Sequence, residues 1–331
     1  MILPKEYKHL RVYNDDDQFT MKIESQALSK LPENELLINV AYSSVNYKDA
    51  LSCHGIKGVT KNYPHTPGID AVGVVVKSSV KAFREGDQVI VTGYDLGMNT
   101  DGGFSEYISI PASWAIHLPD NLLPKDAMIY GTAGFTAALS IYELINAGIT
   151  PDSGPILVTG ATGGVGSIVT AILSKLNYKV VAATGRLEET DKLIEIGASE
   201  VIHRNTLNPL PNKALYHEQW AGAVDTVGGD ILTGIIKSTK YRGCVTCCGN
   251  VAGANIDMTV YPFILRGIRL IGIDSGRTPF DLRNEIWRLL SDEWSLDNID
   301  QLAKTVSLSQ LPEIIDAIYN GKHKQRTIIK L

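Results

Sequence analysis

The residues best suited to do chemistry lie in a glycine cluster, Gly160-Ala161-Thr162-Gly163-Gly164-Val165-Gly166, behind the apolar run PILVT. Ala161, Gly163 and Gly166 hold the spacing G-x-G-x-x-G, with the first glycine replaced. That spacing suits a pyrophosphate. Gly163 lets the backbone approach the anion, and Gly166 lets the next helix pack closely on the strand. Amides at the helix start then face the charge. A tight turn with no ligand is the other reading. Context favours the nucleotide: the cluster follows a strand, opens a helix and sits in a β-α-β unit of about 30 residues.

The second strand selects among nucleotides. An NAD site places Asp or Glu at that strand's end, against the ribose hydroxyls. Here the strand ends in Thr184-Gly185-Arg186, and the first acid, Glu188, already lies on the next helix. A hydroxyl and a guanidinium suit a 2′-phosphate, which predicts NADPH. Alternatively, Arg186 only caps a solvated loop. Arg204, after the third strand, falls on the same side of the sheet. Asn250 and Ser275 each follow a predicted parallel strand, where ligands of such sheets collect.

These positions require a particular frame. From residue 155 strands alternate with helices: ILVTG, SIVTAILSKL, YKVVAATG, EETDKLIEIGA, then SEVIHR, AGAVDTVGG, GCVTCCG and RLIGIDS. This predicts a doubly wound parallel sheet. Ahead of it, ELLINVAYSSV, AVGVVVKSSV, DQVIVTGY and SEYISIP predict a mainly β domain of short strands. The expected division is 1–125, 126–275 and a return over 276–331, where QRTIIKL could rejoin the first domain. The fold class is α/β.

Composition narrows the partners. The chain has 331 residues, 44% hydrophobic and 20% charged, enough for a full core in two domains. Its net charge of −5 argues against nucleic acid, whose phosphates need a basic face. The start, MILPKEYKHL, has no long apolar stretch behind a basic region, and no window reaches the uninterrupted apolar length of a membrane span. A cytoplasmic protein is expected, with no membrane partner. Of the four cysteines, Cys53, Cys244, Cys247 and Cys248, three lie in GCVTCC. Cys244 and Cys247 point to opposite faces of a strand, so they cannot share a metal there and read as small buried hydrophobes.

The combination resembles the medium-chain dehydrogenase/reductase superfamily over essentially the whole chain. NYKDALSCHG, PGIDAVGVV, EGDQVIVTG, GGFSEY and GTAGFTAALS match its landmarks in order. SSVNYKDAL, WAGAVDTVGG and PFILRGIRLIGIDS resemble the zinc-free YhdH/YhfP-type quinone oxidoreductases, a subgroup that includes NADPH-dependent acrylyl-CoA reductases. The resemblance implies a GroES-like catalytic domain beside a Rossmann domain. It also implies that Thr162, Gly163, Gly164, Val165, Thr184, Gly185, Arg186, Arg204, Asn250, Ile264 and Ser275 line the cofactor cleft. Ile264 would be an apolar wall there, or a core residue. Two Rossmann sheets would join along RLIGID into a homodimer, since an apolar edge strand is exposed unless paired. The alternative is an internal or covered strand.

Zinc-dependent members bind their metal through Cys, then His or Glu, then a further Cys or acid. Asn46, Ile69 and Ile129 stand at those positions here, and neither asparagine nor isoleucine is a zinc ligand. No metal site is expected. Without metal, the implied reaction is hydride addition to an activated C=C bond, with the enolate oxygen held by neutral donors. The substrate would be a small molecule: an enoyl-CoA such as acrylyl-CoA, an enone, or a quinone. A nucleotide-binding sensor without turnover is the reading from another class. Asn46 would orient substrate or cofactor. Tyr47 would contact the nicotinamide or donate a hydrogen bond, or else be a packing aromatic. Lys48 reads as a solvated charge and Asp49 as a loop fastener. His54 and His65 read as surface histidines rather than catalytic ones, and Lys57, Lys61 and Arg277 as solvated charges or, alternatively, contacts to the phosphates of a CoA thioester.

Overall fold

Apolar residues at every second position set the first strands. The computed structural model describes residues 3–208, 213–323 and 325–331. β1 (Glu6–Asp15) and β2 (Gln18–Ala27) pair antiparallel. β3 (Leu36–Ser44) is followed by the short helix α1 (Tyr47–Cys53) and by β4 (Asp70–Ser78). β5 (Gln88–Thr92), β6 (Tyr107–Ile110) and β7 (Ala115–His117) complete this stretch. Leu36, Ile38 and Val40 of β3 share one buried cluster with Val75, Val89 and Ile108, as the period of a strand requires.

The helical run α2 (Pro124–Asn146) follows, broken at Gly131, whose φ of 49° and ψ of −153° are open only to glycine. A Cβ there would also collide with the Arg326 guanidinium, Ser44 Oγ and the Asp70 carboxylate. By length and composition α2 could cross a membrane, contrary to the sequence expectation. Yet 78% of its apolar window is buried inside the protein, so it is a core helix.

The next strands form a group whose central members are buried along their whole length, as parallel strands covered by helices must be. They are β8 (Ile156–Thr159), β9 (Val180–Thr184), β10 (Glu200–His203), β11 (Trp220–Asp225), β12 (Thr239–Cys247) and β13 (Arg269–Gly272). The helices between and after them are α3 (Gly164–Lys175), α4 (Thr190–Glu195), α5 (Gly229–Ser238), α6 (Tyr261–Arg266) and α7 (Phe280–Ser291). All strand pairs are parallel, in the order β10-β9-β8-β11-β12-β13. The winding reverses between β8 and β11, the point where such sheets bind ligands at their carboxyl ends.

The chain then returns through β14 (Ala303–Ser307), α8 (Leu311–Tyr319) and β15 (Arg326–Lys330). β15 pairs with Tyr42–Ser44 of β3, while β6 takes the other half, Leu36–Asn39, of that strand. Two compact units result: Met1–Thr132 with Asn298–Leu331, and Ala133–Asp297. The sequence boundaries fell earlier, after residues 125 and 275. α7 stays with the second unit because Trp287 stacks on Phe135 at 6.1 Å and the Arg283 guanidinium lies 4.8 Å over the same ring.

Of the two histidines expected at the surface, His65 is buried and structural instead, while His54 is partly exposed and packed. His65 is buried, with Nε2 3.0 Å from the Gly97 carbonyl, and burial holds its pKa below the usual value. His54 stacks on Tyr319 at 3.9 Å and donates from Nδ1 to the Ala50 carbonyl at 2.8 Å.

Replacing Gly131 with alanine tests the break in α2. Backbone strain alone should remove about 1–3 kcal/mol of stability, and the collisions should add to it. Urea unfolding of Gly131→Ala measures this; an unchanged midpoint would mean that the break relaxes at no cost.

Candidate active site

The glycine cluster forms the turn between β8 and α3. Gly160, with φ 56°, makes the turn one residue ahead of Ala161. That explains why Ala161 tolerates the first motif position. A Cβ on Gly166 would come within 2.8 Å of Ala161 Cα, so this glycine is needed where helix meets strand. Gly163 is the N-cap of α3. The amides of Gly164, Val165 and Gly166 begin the helix and have no partner within it. They form an anion site strengthened by the helix dipole.

At the end of β9, Thr184 Oγ1 accepts from the Arg186 amide at 3.0 Å and lies 3.4 Å from Thr162 Oγ1. β10 runs parallel beside β9, with His203 opposite Thr184, so Arg204 emerges next to Gly185. A Cβ on Gly185 would stand 2.9 Å from Arg204 Nε. The structure thus brings Thr184, Gly185, Arg186 and Arg204 to one corner of the sheet. No carboxylate ends β9.

Further along that edge, an open groove of about 560 Å³ is lined by Cys247, Cys248, Gly249, Asn250, Gly272, Ile273 and Asp274. Asn250 is therefore on the groove wall, with Ser275 one residue beyond it. Cys247 and Cys248 line the groove too, unlike Cys53 and Cys244, which are fully buried. Beneath the sheet edge, Asp225 accepts from Thr159 Oγ1 at 2.8 Å and from the Gly228 amide at 2.7 Å. Ile264 is 67% exposed on α6 and does not line the groove. Core packing, one of its two sequence readings, does not hold.

In the first unit, Asn46 caps α1 and Tyr47 opens it. Tyr47 is 46% exposed, so its ring is available at the unit's surface. Asn46 is not. Its Nδ2 donates to Asp70 Oδ2 at 2.8 Å, and its Oδ1 accepts from Arg326 Nη1 at 2.9 Å. With its amide engaged by both charges, Asn46 fixes the start of α1. Asp49 fastens the same turn: Oδ2 accepts from the Asn46 amide at 2.7 Å, Oδ1 from the Ile69 amide at 3.0 Å. Full burial, and then the charge of Asp70, push its carboxyl up to about 7.

Sequence reasoning missed the centre of this cluster. Asp70 and Arg326 form a buried ion pair at 3.5 Å. Asp70 also accepts from Ser44 Oγ at 2.5 Å and from the Thr132 amide at 2.9 Å. Arg326 donates to the carbonyls of Val45 at 2.7 Å, Ile129 at 3.0 Å and Tyr130 at 3.3 Å. The available signal was an arginine opening a strand, RTIIK, that is otherwise apolar enough to be buried. Ile69 and Ile129 are buried side chains without donor atoms. Among the described residues no three His, Cys, Asp or Glu groups converge as metal ligands.

Comparison with known proteins agrees with this geometry. Residues 32–120 match the alcohol dehydrogenase GroES-like domain. Residues 164–292 match the family described as zinc-binding dehydrogenase, although the expected ligand positions here hold Asn46, Ile69 and Ile129. The Bacillus subtilis protein YhfP, solved with NAD bound, is 43% identical, with a TM-score of 0.97 over 99% of this chain and 100% of that one. Salmonella enterica YhdH, solved with NADP, is 38% identical, with a TM-score of 0.95 over 98% of this chain and 99% of that one. The acrylyl-CoA reductase AcuI of Ruegeria pomeroyi is 40% identical over 93% of each chain. With two domain matches in the right order and full-length relatives near 40% identity, the chain belongs to the medium-chain dehydrogenase/reductase superfamily, among its zinc-free, YhdH/YhfP-type oxidoreductases.

Proposed function

We propose that this protein uses NADPH to reduce the C=C bond of an α,β-unsaturated carbonyl compound, an enoyl thioester such as acrylyl-CoA. The observation that carries the cofactor choice is the corner at β9 and β10, where Thr184, Arg186 and Arg204 meet with no carboxylate. Relatives have been solved with NADP and with NAD, and the arginine pair favours the phosphorylated form. The acyl substrate rests on the similarity to AcuI and on Asn46, Ile69 and Ile129 at the positions where zinc-dependent relatives hold their ligands. Quinone reduction is the second reading; the Bacillus subtilis relative carries a provisional quinone oxidoreductase name. The working compartment in this reading is the cytoplasm.

NADPH, when bound, supplies a hydride. The rest falls to the chain. Amides of Gly164, Val165 and Gly166 would hold the pyrophosphate, and Arg186, Arg204 and the Thr184 hydroxyl would hold the 2′-phosphate. Asn250 and Ser275 would face the nicotinamide end. Tyr47 donates a hydrogen bond to the substrate carbonyl oxygen, where negative charge builds as the β-carbon is reduced. The α-carbon takes its proton from Tyr47 or from water.

Assembly follows from the edge strand. β13 ends the sheet order, and Val251, Val260, Tyr261, Ile264, Leu265 and Phe280 expose apolar side chains in the same unit. A second copy of the chain would cover them, giving a homodimer. Ile264 belongs to this surface in our reading. Light scattering at micromolar concentration should give twice the chain mass, and the double variant Val260→Asp/Leu265→Asp should give a monomer. A monomeric unmodified protein would reject this assembly.

Arg186→Ala should weaken NADPH binding by about 1–3 kcal/mol, the scale for a charge-assisted hydrogen bond, and leave NADH binding nearly unchanged. Equal affinity for the two cofactors before substitution would sink the 2′-phosphate assignment. Tyr47→Phe should lower kcat/KM for an enoyl thioester on the order of 10²-fold while NADPH binding survives. An unchanged rate would return Tyr47 to packing. With deuterated NADPH, the label should appear at the β-carbon of the saturated product. If no saturated product forms and benzoquinones are reduced instead, the quinone reading stands.

A further inference from the structure

The loop that follows β13, residues 274–278, is gripped from two sides. On one side, Arg283 of α7 reaches in from the core; it is 1% exposed, its guanidinium over Phe135. Its Nη2 donates to the Ser275 carbonyl at 3.0 Å and to the Gly276 carbonyl at 3.3 Å. On the other side, Asp274 Oδ1 accepts from the Gly276 amide at 3.1 Å and from the Arg277 amide at 3.3 Å. Thr278 Oγ1 closes the loop on the Asp274 carbonyl at 3.0 Å.

These bonds fall on two consecutive peptide groups. The peptide between Ser275 and Gly276 has its carbonyl on Arg283 and its amide on Asp274. The peptide between Gly276 and Arg277 repeats the arrangement. A peptide plane held at both ends cannot flip. A cation at the carbonyl ends and an anion at the amide ends also match the peptide dipoles in sign, so each grip strengthens the other. Asp274 lines the groove beside Asn250, so the fixed loop is one wall of that groove.

Building on the NADPH reading above, we infer that Arg283 is a positioning residue for the cofactor: through Asp274 and the 275–277 peptides it pre-forms the groove wall that receives the nicotinamide end. Without the inner grip the loop would sample other conformations, and binding would have to select the competent one, lowering apparent affinity. The effect should be blind to the 2′-phosphate. In the order β9-β8-β11-β12-β13 the loop stands four strand spacings, about 19 Å, from the Arg186 corner.

The test uses the full-length protein with two variants, one for each grip: Arg283→Lys, which keeps the charge but loses the planar fork, and Asp274→Ala, on the exposed side. Fluorescence titration should show NADPH binding weakened on the order of tenfold in both, with a constant NADPH-to-NADH affinity ratio. Hydrogen exchange in the cofactor-free protein should show the Gly276 and Arg277 amides losing protection in both variants. Arg186→Ala, by contrast, should change the affinity ratio and leave those amides protected. Unchanged NADPH affinity despite lost amide protection would overturn the proposal, and so would retained protection in both variants. If the unmodified protein bound no nicotinamide cofactor, the functional reading would fall, while the exchange data would still decide whether the clamp exists.

Discussion

Two buried charges organise the first unit. Arg326 and Asp70 are both shielded from water, and charges so placed persist only when surrounded by partners. Those partners come from three separate stretches: the end of β3, the cap of α1 and the break in α2. Removing either charge would leave the other uncompensated, at a cost of about 3–5 kcal/mol. Several features that look independent follow from this. The chain must return to β3, because β15 carries Arg326. Gly131 must be glycine, because a side chain would occupy the space of the pair. Asn46 must face inward, because it completes the coordination of both charges.

The nucleotide end was legible in the sequence because its determinants are local. Gly166 and the 184–186 stretch act within a few residues of themselves, and turn, helix start and strand end each leave a short pattern. Arg204 was legible only as a position on the sheet; its approach to Gly185 needs the pairing of β9 with β10. The Arg326–Asp70 pair was not legible, since its members are 256 residues apart and nothing near either one announces the other. His65 was misread for the same reason. Its loop is polar and glycine-rich, yet tertiary contacts bury it. Cys247 and Cys248 show the limit of alternation: Cys247 is the last residue of β12 and Cys248 lies just beyond it, where the groove opens.

The catalytic unit is better described as rebuilt than as a metal site lacking its ion. The position that offers a thiol in zinc enzymes holds Asn46, and its amide is engaged by Asp70 and Arg326. Restoring a cysteine at 46 would therefore disturb the ion pair before it created a ligand, with Ile69 still unable to coordinate. Asp49 adds a pH-sensitive element. Its folded value near 7 lies above the unfolded value near 3.8, so the folded protein holds that proton more tightly. The associated stability is complete below about pH 4 and is lost as the pH rises through 7, when a second negative charge forms near Asp70.

This architecture constrains the chemistry. A cation as deeply committed as Arg326 cannot move to a substrate oxygen during the reaction, and the isoleucines beside it offer no electrophile. In the proposed reaction the neutral donor is Tyr47, exposed at the first turn of α1. A donor of that kind suits a reaction whose charge is shared across a conjugated system, because delocalisation lowers the stabilisation that any one hydrogen bond must supply. Reduction of a C=C bond next to a thioester carbonyl has this property. Unassisted reduction of an isolated carbonyl, which concentrates charge on one oxygen, does not.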